Sequence, residues 1–259
     1  MQHLLFGHGR VGKSVAAYAR SKGVDVKVVS RQEADSLFGD AVEREVLTTD
    51  IVLIATPDDT IAPIVRRLEG VFDKAPESLD TGPKRPAIIH FSGAMVVEGA
   101  ASLHPLYSFP PSGLDPQAME RIPFAIEPGG PTPSDVFPGA ENAFFEVPRE
   151  KRAAYHAMAV LVANFAAHIW NDTAATFAQT FPDAPDDALA MLVDSCADRF
   201  REAPTDSMTG PVARRDWETV AANLEALNDH PSLLNLYTAF LTAAWPGYLE
   251  KEHAEKKSP

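Results

Sequence analysis

The sequence has little cysteine, little positive charge and no long apolar run, and each shortage excludes a class of protein. The single Cys196 cannot form an internal disulfide, which excludes a disulfide-stapled domain. Lys and Arg number 23 against 36 Asp and Glu, and the formal net charge of -13 argues against broad electrostatic binding to nucleic acid or membrane. No stretch approaches the roughly 20 apolar residues of a membrane span, and no targeting segment precedes the first predicted strand. We therefore expect a cytoplasmic protein.

The first half of the chain alternates short apolar runs with helical patterns. Continuous apolar strands separated by helices are typical of a parallel sheet covered on both faces. We therefore predict a doubly wound α/β domain of the Rossmann type, with its first helix at Arg10 to Ser21. Strands are predicted at His3 to Phe6, Val24 to Ser30, Asp50 to Thr56, Ala87 to Phe91, Ser102 to Leu106, Phe124 to Glu127 and Phe144 to Val147.

The composition and the hydrophobic pattern of the sequence change beyond Pro148. The remaining chain is rich in Ala, Leu and Met, and long helical patterns dominate it. We predict two domains, a Rossmann-like domain over residues 1–148 and an all-helical domain over residues 149–259. Helices are predicted at Arg149 to Trp170, Thr173 to Thr180, Asp186 to Glu202, Arg214 to Asn228 and Ser232 to Lys251.

Residues 7 to 14, with the sequence GHGRVGKS, satisfy two phosphate-binding patterns at once. As G-x-G-x-x-G they predict a dinucleotide, and as G-x-x-x-x-G-K-[ST] they predict ATP or GTP. Both patterns use glycines so that the backbone can approach a phosphate that faces a helix N-terminus. The surrounding sequence has to separate an oxidoreductase from an NTPase.

The next strands favour the dinucleotide. An NTPase needs an Asp at the end of another apolar strand to position magnesium. Asp58 does not meet this requirement, because it follows Pro57 in a predicted loop beyond the strand. The second strand ends at Ser30-Arg31, where a hydroxyl and a guanidinium suit the 2′-phosphate of NADP(H). We therefore predict NADP(H) as the cofactor. The candidate cofactor-binding residues are Gly7, His8, Gly9, Arg10, Val11, Gly12, Ser30, Arg31, Ala55, Thr56, Pro57 and Ser92.

Several motifs in order resemble the Rossmann-like proteins that carry the DUF2520 domain. The resemblance implies NADP-dependent oxidoreductases, similar in architecture to pyrroline-5-carboxylate reductases and 6-phosphogluconate-dehydrogenase-like enzymes, and it defines no substrate. It also implies a homodimer formed through the helical domain. Arg215 departs from the pattern, which leads us to expect a Gly there. The motifs are the turn at Gly7 to Gly12, Ser30-Arg31, Ala55 to Asp59, His90 to Ala94, Ser102 to Leu106, Tyr155 to Val160 and Thr209 to Asp216.

Candidate catalytic residues lie on the first helix of the second domain and beside two strands. Hydride transfer to a carbonyl or imine needs a proton donor and groups that orient the substrate. His156 and Asn164 are eight residues apart on one predicted helix, which should border the cleft between the domains. We prefer His156 as acid or base and Asn164 as an orienting group. The alternative for His156 is a hydrogen bond to a local backbone group within a packing seam.

Ser92 and His104 form a second cluster, each near the end of a predicted strand. They could hold a substrate carboxylate or the nicotinamide amide, although Ser92 could equally cap a following helix. Thr209, Gly210 and Arg214 form a third cluster with Asp216. Its hydroxyl, amide and guanidinium donors suit a substrate carboxylate, and an Arg-Asp pair that only fixes the turn is the competing interpretation.

We predict an NADP(H)-dependent oxidoreductase that acts on a small polar carbonyl, imine or hydroxy compound. A non-catalytic NADP(H)-binding sensor or scaffold is the main alternative, and an NTPase is a minor one. No His or Cys cluster has metal-ligand spacing, so no metal is expected.

Overall fold

A computed structural model describes residues 1–29, 40–74 and 85–248, without the side chains of residues 40–42. All seven predicted strands are present, with ends that differ by one or two residues from the sequence pattern. Strand boundaries are the least sharp part of an apolar pattern because flanking residues can be equally apolar. The strands are β1 Gln2–Phe6, β2 Asp25–Val29, β3 Ile51–Ile54, β4 Ala87–His90, β5 Ala101–Pro105, β6 Phe124–Ile126 and β7 Phe144–Glu146.

The strands form one sheet in the order β2-β1-β3-β4-β5-β6-β7. Strands β1 to β5 are parallel, β6 is antiparallel to β5, and β7 is parallel to β6. The chain moves from β1 outward to β2 and then returns to the other side of β1 for β3. This reversal opens a crevice at the carboxyl ends of β1 and β3, which is where open α/β sheets bind their ligands.

Helices cover both faces of the sheet, which confirms the doubly wound fold. Alternate side chains of a strand point to opposite faces, so Leu5 packs toward the helix Arg10–Ser21 while Leu4 and Phe6 pack toward the other face. That second face is covered by helices Asp40–Thr48 and Asp58–Lys74. The sequence analysis assigns no bounds to these two helices, and an internal Pro63 weakens the pattern of the longer one.

The Pro-rich region before β7 holds two short helices, Pro116–Met119 and Pro133–Val136. A buried polar contact fixes it to the first helix: the Tyr18 hydroxyl donates to Asn142 Oδ1 at 2.6 Å. The Asn142 amide in turn donates to the carbonyls of Met119 and Ile122 at 2.8 and 2.9 Å. Because every polar group of this buried amide is bonded, it stabilises the segment without an orphaned donor.

The second half of the described chain is helical, as predicted. Its first element is a continuous helical run over Arg149–Thr180, which the sequence analysis divides into two helices. The run contains a 3-10 turn Arg149–Lys151, an α-helix Arg152–Val160, a π-helical turn Leu161–Phe165 and an α-helix Ala166–Thr180. The helices Ala188–Glu202, Pro211–Arg214, Trp217–Ala226 and Pro231–Ala244 follow.

By compactness the chain divides into a unit Met1–Leu161 and a unit from Val162 onward. The predicted boundary at residue 148 marks the change from strands to helices instead, and it stays a prediction. We call the two parts the sheet unit and the helical unit. The compact division falls inside the Arg149–Thr180 run, so the helix Arg152–Val160 is counted with the sheet.

The helical unit buries few apolar side chains. Within its described residues, up to 248, the fully buried apolar residues are Val212, Val220, Leu241 and Tyr248. Large apolar side chains of the run Arg149–Thr180 are exposed by about half. An 18-residue window of that run has a mean hydropathy of 1.2 with none of it buried, so by length and composition alone the run could cross a membrane. No such segment is expected from the sequence alone. The exposed large apolar residues of the run are Met158, Leu161, Val162, Phe165, Ile169 and Trp170.

Candidate functional site

The glycine turn, residues 7 to 12, connects β1 to the first helix and lies against the end of β3. Gly7 has φ 95°, and a Cβ there would be 2.6 Å from the carbonyl oxygen of Ala55. A Cβ on Gly12 would be 2.2 Å from the carbonyl oxygen of Gly7. Since no L side chain fits at either position, these two glycines are required by the backbone path itself. They bring the turn and the strand end together at the crevice.

The space in front of the turn fits a phosphate. Gly9 is the N-cap of the helix, no side chain caps that helix, and its first turn carries no acidic residue. The first backbone N–H groups of a helix lack internal partners and carry partial positive charge. A Cβ on Gly9 would meet nothing within 4 Å. The buried hydroxyl of Thr56 also has no hydrogen-bond partner within the described residues, which leaves a further polar atom at this strand end for a ligand.

Lys13 and Ser14 do not behave as the end of an NTPase loop. Ser14 is fully buried; its hydroxyl donates to the Arg10 carbonyl at 2.7 Å and accepts the Leu114 amide at 2.9 Å. That hydroxyl is therefore engaged in packing the first helix, and a magnesium ligand has to face the nucleotide instead. This contact favours the dinucleotide interpretation of the octet.

A second group of polar side chains lies at the carboxyl ends of β4 and β5. His104 of β5 and Tyr155 of the helix Arg152–Val160 are joined by a hydrogen bond of 2.6 Å between Nδ1 and the phenol oxygen. The His104 ring also packs edge to face against Tyr155 and His156, with centroids 5.6 and 6.2 Å apart. Phe145 packs edge to face on the other side of Tyr155. The phenol is therefore oriented by two neighbouring rings.

Gly93 makes room for both histidines. A Cβ on Gly93 would lie 2.8 Å from His104 Nε2 and 2.9 Å from His156 Nδ1. The two rings therefore fill the position that a side chain at residue 93 would take, and this brings their nitrogens close together. His156 Nδ1 is buried and has no hydrogen-bond partner among the residues that the structure describes. Because buried polar atoms are normally hydrogen-bonded, this nitrogen is a candidate contact for a ligand.

Buried polar residues fix the helix to the strand ends. Arg152 is 1% exposed, and its Nη1 donates to Ser102 Oγ at 2.7 Å. Ser102 Oγ donates to the carbonyl of Ser92 at 3.0 Å. The Ser92 hydroxyl accepts the backbone N–H groups of Ala94 and Met95 at 3.3 and 3.1 Å. No helix follows Ser92, so its hydroxyl closes a turn rather than capping a helix.

Burial and the guanidinium of Arg152 keep the neighbouring histidines neutral. Desolvation, and then the nearby His156, Arg152 and His90, lower the pKa of His104 from 6.5 to about 4. Desolvation and Arg152 lower the pKa of His90 to about 4 as well. Desolvation raises the pKa of Tyr155 to about 12, with Arg152 acting in the opposite direction. At neutral pH both His90 and His104 are therefore neutral, and the phenol keeps its proton.

The structure brings only some of the predicted site residues together. Ser92, His104 and His156 meet around Gly93, while the glycine turn meets Ala55 and Thr56. Ser30 and Arg31, on which the choice of NADP(H) depends, lie outside the described residues.

The remaining predicted residues belong to the helical unit. Asn164 is exposed and lies in the π-helical turn, so the α-helical spacing expected between it and His156 is interrupted. Asp216 caps the helix Trp217–Ala226 by accepting the backbone N–H of Thr219 at 3.2 Å. That contact is a helix N-cap, and the Arg-Asp pair considered from the sequence stays a prediction. The substrate-binding roles of Asn164, Asp216, Thr209, Gly210 and Arg214 stay predictions.

Sequence reasoning gave no role to Arg152, Tyr155 or His90. One signal was available: Arg152, Tyr155 and His156 are spaced i, i+3 and i+4, which places them on one helix face. A second was the end position of His90 on a strand parallel to the one that carries His104. Neither signal gives the contact between His104 and Tyr155, which are 51 residues apart in the chain.

The fold is a doubly wound α/β domain with a glycine turn and a polar cluster at the carboxyl edge of its sheet. Residues 129–243 match the model of a domain of unknown function, DUF2520. The match confirms the resemblance over that part of the chain. A search of curated proteins found no match.

Solved structures share the fold over nearly the whole chain. A candidate NADP oxidoreductase from Bacteroides fragilis is 22% identical, with a TM-score of 0.68 over 94% of this chain and 97% of its own. A protein from Thermotoga maritima is 20% identical, with a TM-score of 0.66 over 96% and 99%. A 1-pyrroline-5-carboxylate reductase from Streptococcus pyogenes is 10% identical, with a TM-score of 0.55 over 94% and 98%. At such identities the likeness concerns the fold.

Proposed function

We propose that the chain is an NADP(H)-dependent oxidoreductase acting on a small polar carbonyl, imine or hydroxy compound. The observation that carries this proposal is the pair of features at one edge of the sheet. A glycine turn that fits a phosphate ends β1, and two converging histidines lie beside the ends of β4 and β5. The names of the structural neighbours, which include an NADP oxidoreductase and a pyrroline carboxylate reductase, support the same class.

The glycine turn would hold the pyrophosphate of the cofactor through the N-terminal amides of the first helix. Thr56 offers its unbonded hydroxyl at the adjacent strand end. When bound, the reduced nicotinamide would supply a hydride, which is a proton together with two electrons. From the sequence, we propose that Ser30 and Arg31 bind the 2′-phosphate and so select NADP(H) over NAD(H).

The histidine cluster would manage the proton that accompanies the hydride. In the reducing direction a C–H bond forms at the substrate carbon, and the π electron pair of C=O or C=N moves to the heteroatom. That heteroatom would take a proton from His156, whose buried Nδ1 has no hydrogen-bond partner among the described residues. His104 would orient the same heteroatom. In the oxidising direction each transfer runs backwards.

Cofactor binding is the first test. The protein is titrated with NADPH, NADH and Mg-ATP, and binding is measured by calorimetry. NADPH should bind at least about tenfold more tightly than NADH. Arg31→Ala should remove most of that preference. Tight Mg-ATP binding without NADPH binding would support the NTPase instead. If NADPH binds but no metabolite panel oxidises it, even with His104 and His156 intact, the sensor alternative is favoured.

We also propose that two copies pair through the helical unit. Four fully buried apolar side chains are few for the described part of this unit, and Val162 and Phe165 remain 68% and 57% exposed. Exposed apolar surface of this extent is typical of an interface. The start of the helical run packs on the sheet through Arg152 and Tyr155, which favours a protein partner over a membrane.

Sedimentation at micromolar concentration should give a dimer. The double variant Val162→Lys with Phe165→Lys should shift it to monomer. Monomer alone for the wild type, or binding to lipid vesicles, would contradict the pairing. The predicted cytoplasmic location goes with this proposal and is checked by fractionation of cells that produce the tagged chain.

A further inference from the structure

We propose that Arg152 is a positioning residue of the proposed site: through Ser102, its guanidinium holds the turn of residues 92–95 against the rings of His104 and His156. The cation serves this arrangement and not the stability of the fold. The inference rests on the proposed function for the reaction that the two histidines serve. The position of the turn and the state of the rings can nevertheless be measured without any substrate.

The hydrogen bonds that connect Arg152 to the turn have one direction. A guanidinium has only donors, so Arg152 Nη1 donates to Ser102 Oγ, at 2.7 Å. The Ser102 hydroxyl in turn donates its own proton to the Ser92 carbonyl, at 3.0 Å. Because Arg152 and Ser102 are each 1% exposed, water does not compete for these bonds. The three residues therefore form a chain of donors that ends on the backbone of the turn.

The turn at the end of this chain is in direct contact with both histidines. The Ser92 hydroxyl closes the turn by accepting two backbone N–H groups, at 3.3 and 3.1 Å. Gly93 packs so closely that a Cβ on it would lie 2.8 Å from His104 Nε2 and 2.9 Å from His156 Nδ1. Since interiors are close-packed, the position of the turn limits where the two rings can lie.

The same side chain also fixes the helix that carries His156. Ser102 and His104 are two residues apart on β5, so their side chains point to the same face of the sheet. Arg152 and Tyr155 are three residues apart on the helix Arg152–Val160 and share one of its faces. The two pairs are bonded at 2.7 and 2.6 Å. His156 follows one helical turn after Arg152, so both histidines depend on this contact between strand and helix.

A cation is a poor choice for stability at this position. The Nε and Nη2 atoms of Arg152 are buried and have no hydrogen-bond partner among the described residues, and its guanidinium forms no ion pair with any of them. Burial lowers the pKa of Arg152, with Glu127 and Tyr155 acting in the opposite direction, and the guanidinium stays charged at neutral pH. An apolar side chain of similar volume is often as stable as a buried charge, or more stable.

The charge of Arg152 also acts on the protonation of the histidines. Arg152, Tyr155 and His156 face His104 from the helix, and His90 faces it from β4. Burial is the largest cause of the lowered pKa of His104 and of His90, and Arg152 lowers both further. Removing the cation should therefore raise both pKa values. A residue that only filled space would leave them unchanged.

Arg152→Met tests the charge, on the full-length protein labelled with 15N-histidine and without cofactor. We expect a melting temperature at least as high as that of the wild type, and a titration midpoint of His104 raised by about one unit in 1H–15N spectra. Arg152→Lys keeps the cation and should keep the midpoint. Lys151→Met removes an exposed cation one residue earlier and is the matched control. A melting temperature lower by about 5 °C or more, or an unchanged midpoint, would overturn the proposal.

Ser102→Ala tests the hydrogen-bonded chain by removing the link between Arg152 and the turn. Amide hydrogen exchange of Ala94 and Met95 should become about tenfold faster relative to the amides of β1, which report global unfolding. Ser102→Thr keeps the hydroxyl and should restore the wild-type rates. Equal exchange in Ser102→Ala and the wild type would overturn the positioning role.

Turnover connects the chain of contacts to the reaction. Glyoxylate, pyruvate and 1-pyrroline serve as probes, each with NADPH. With any probe that the wild type reduces, Ser102→Ala and Arg152→Met should lower kcat about tenfold with little effect on KM, and Ser102→Thr should restore it. Unchanged kcat in both variants would contradict the proposal. Failure of the wild type to bind NADPH would overturn the proposed function instead, and the spectra and exchange rates would still decide the role of Arg152.

Discussion

Replacing His90 should make the protein less sensitive to acid. His90 is the last residue of β4 and is fully buried, and neither ring nitrogen has a hydrogen-bond partner within the described residues. Its neutral ring is tolerated, but an imidazolium would face Arg152 without water. Met has a similar volume and no polar atom. We therefore expect His90→Met to be about as stable as the wild type at neutral pH.

The magnitude follows from the difference in pKa between the two states. The pKa of His90 is about 4 in the folded chain and 6.5 in the unfolded chain, and a difference of about 2.5 units corresponds to about 3 kcal/mol. Because the folded state binds the proton less well, this stability is present above pH 6.5 and is lost as the pH falls toward 4. The wild type should lose about 3 kcal/mol more than His90→Met across that window.

The assay is amide hydrogen exchange in β3 and β4, measured in steps from about pH 7 to pH 4. All three tryptophans, Trp170, Trp217 and Trp245, belong to the helical unit, so their fluorescence would follow the wrong part of the chain. His168→Met, at a side chain 62% exposed, is the control and should keep the wild-type profile. An equal loss of stability in His90→Met and the wild type would refute the reasoning.

Three further predictions follow from individual positions. Gly12→Ala places a Cβ 2.2 Å from a backbone oxygen and should lower the free energy of unfolding by about 1–3 kcal/mol. Gly9→Ala meets open space, so it should lower the free energy of unfolding by less than about 1 kcal/mol while weakening NADPH binding about tenfold. Thermal melts measure the effect on stability and calorimetry measures the effect on binding. Arg215→Ala keeps the left-handed backbone, at φ 57°, and loses the stacking on a tryptophan ring 4.9 Å away, so it should be about 0.5–1 kcal/mol less stable than Arg215→Gly in chemical denaturation. Gly93→Ala puts a Cβ within 2.9 Å of two histidine rings and should abolish turnover while NADPH still binds, and normal kcat in this variant would contradict the proposed role of the two histidines.

Local patterns made the fold predictable from the sequence. Ile51 to Ile54 is a run of four apolar residues that becomes a strand buried on both faces, and a run of that kind is recognisable wherever it occurs. The glycine turn is also recognisable from a local pattern, since its three glycines lie within six positions, although the contact of Gly7 with Ala55 is not local. The expected Gly at residue 215 has a physical reason as well: Arg215 is the only non-glycine residue with positive φ in the described chain.

The chemistry of the site is not local, and for that reason only part of it could be predicted from the sequence. The pKa of His104 is lowered first by burial and then by His156 and Arg152, which reach it from a helix about 50 residues later. A histidine beside a strand is compatible with an acid, a base or a hydrogen-bond donor, and only its neighbours choose among them. Sequence reasoning therefore identified His156 as the preferred acid or base and His104 as an orienting group, and these roles stay predictions.

The proposed pairing of two copies determines how the predictions on the helical unit have to be tested. Arg214 is an exposed side chain in a unit with few buried apolar residues, as are the apolar residues Val162 and Phe165. A variant at Arg214 that lost activity by disturbing the assembly would look like the loss of a substrate contact. We therefore expect a true substrate role to appear as a higher KM at an unchanged sedimentation coefficient, because binding is lost while the dimer remains. A loss of activity that disappears when the protein concentration is raised would instead assign Arg214 to the interface.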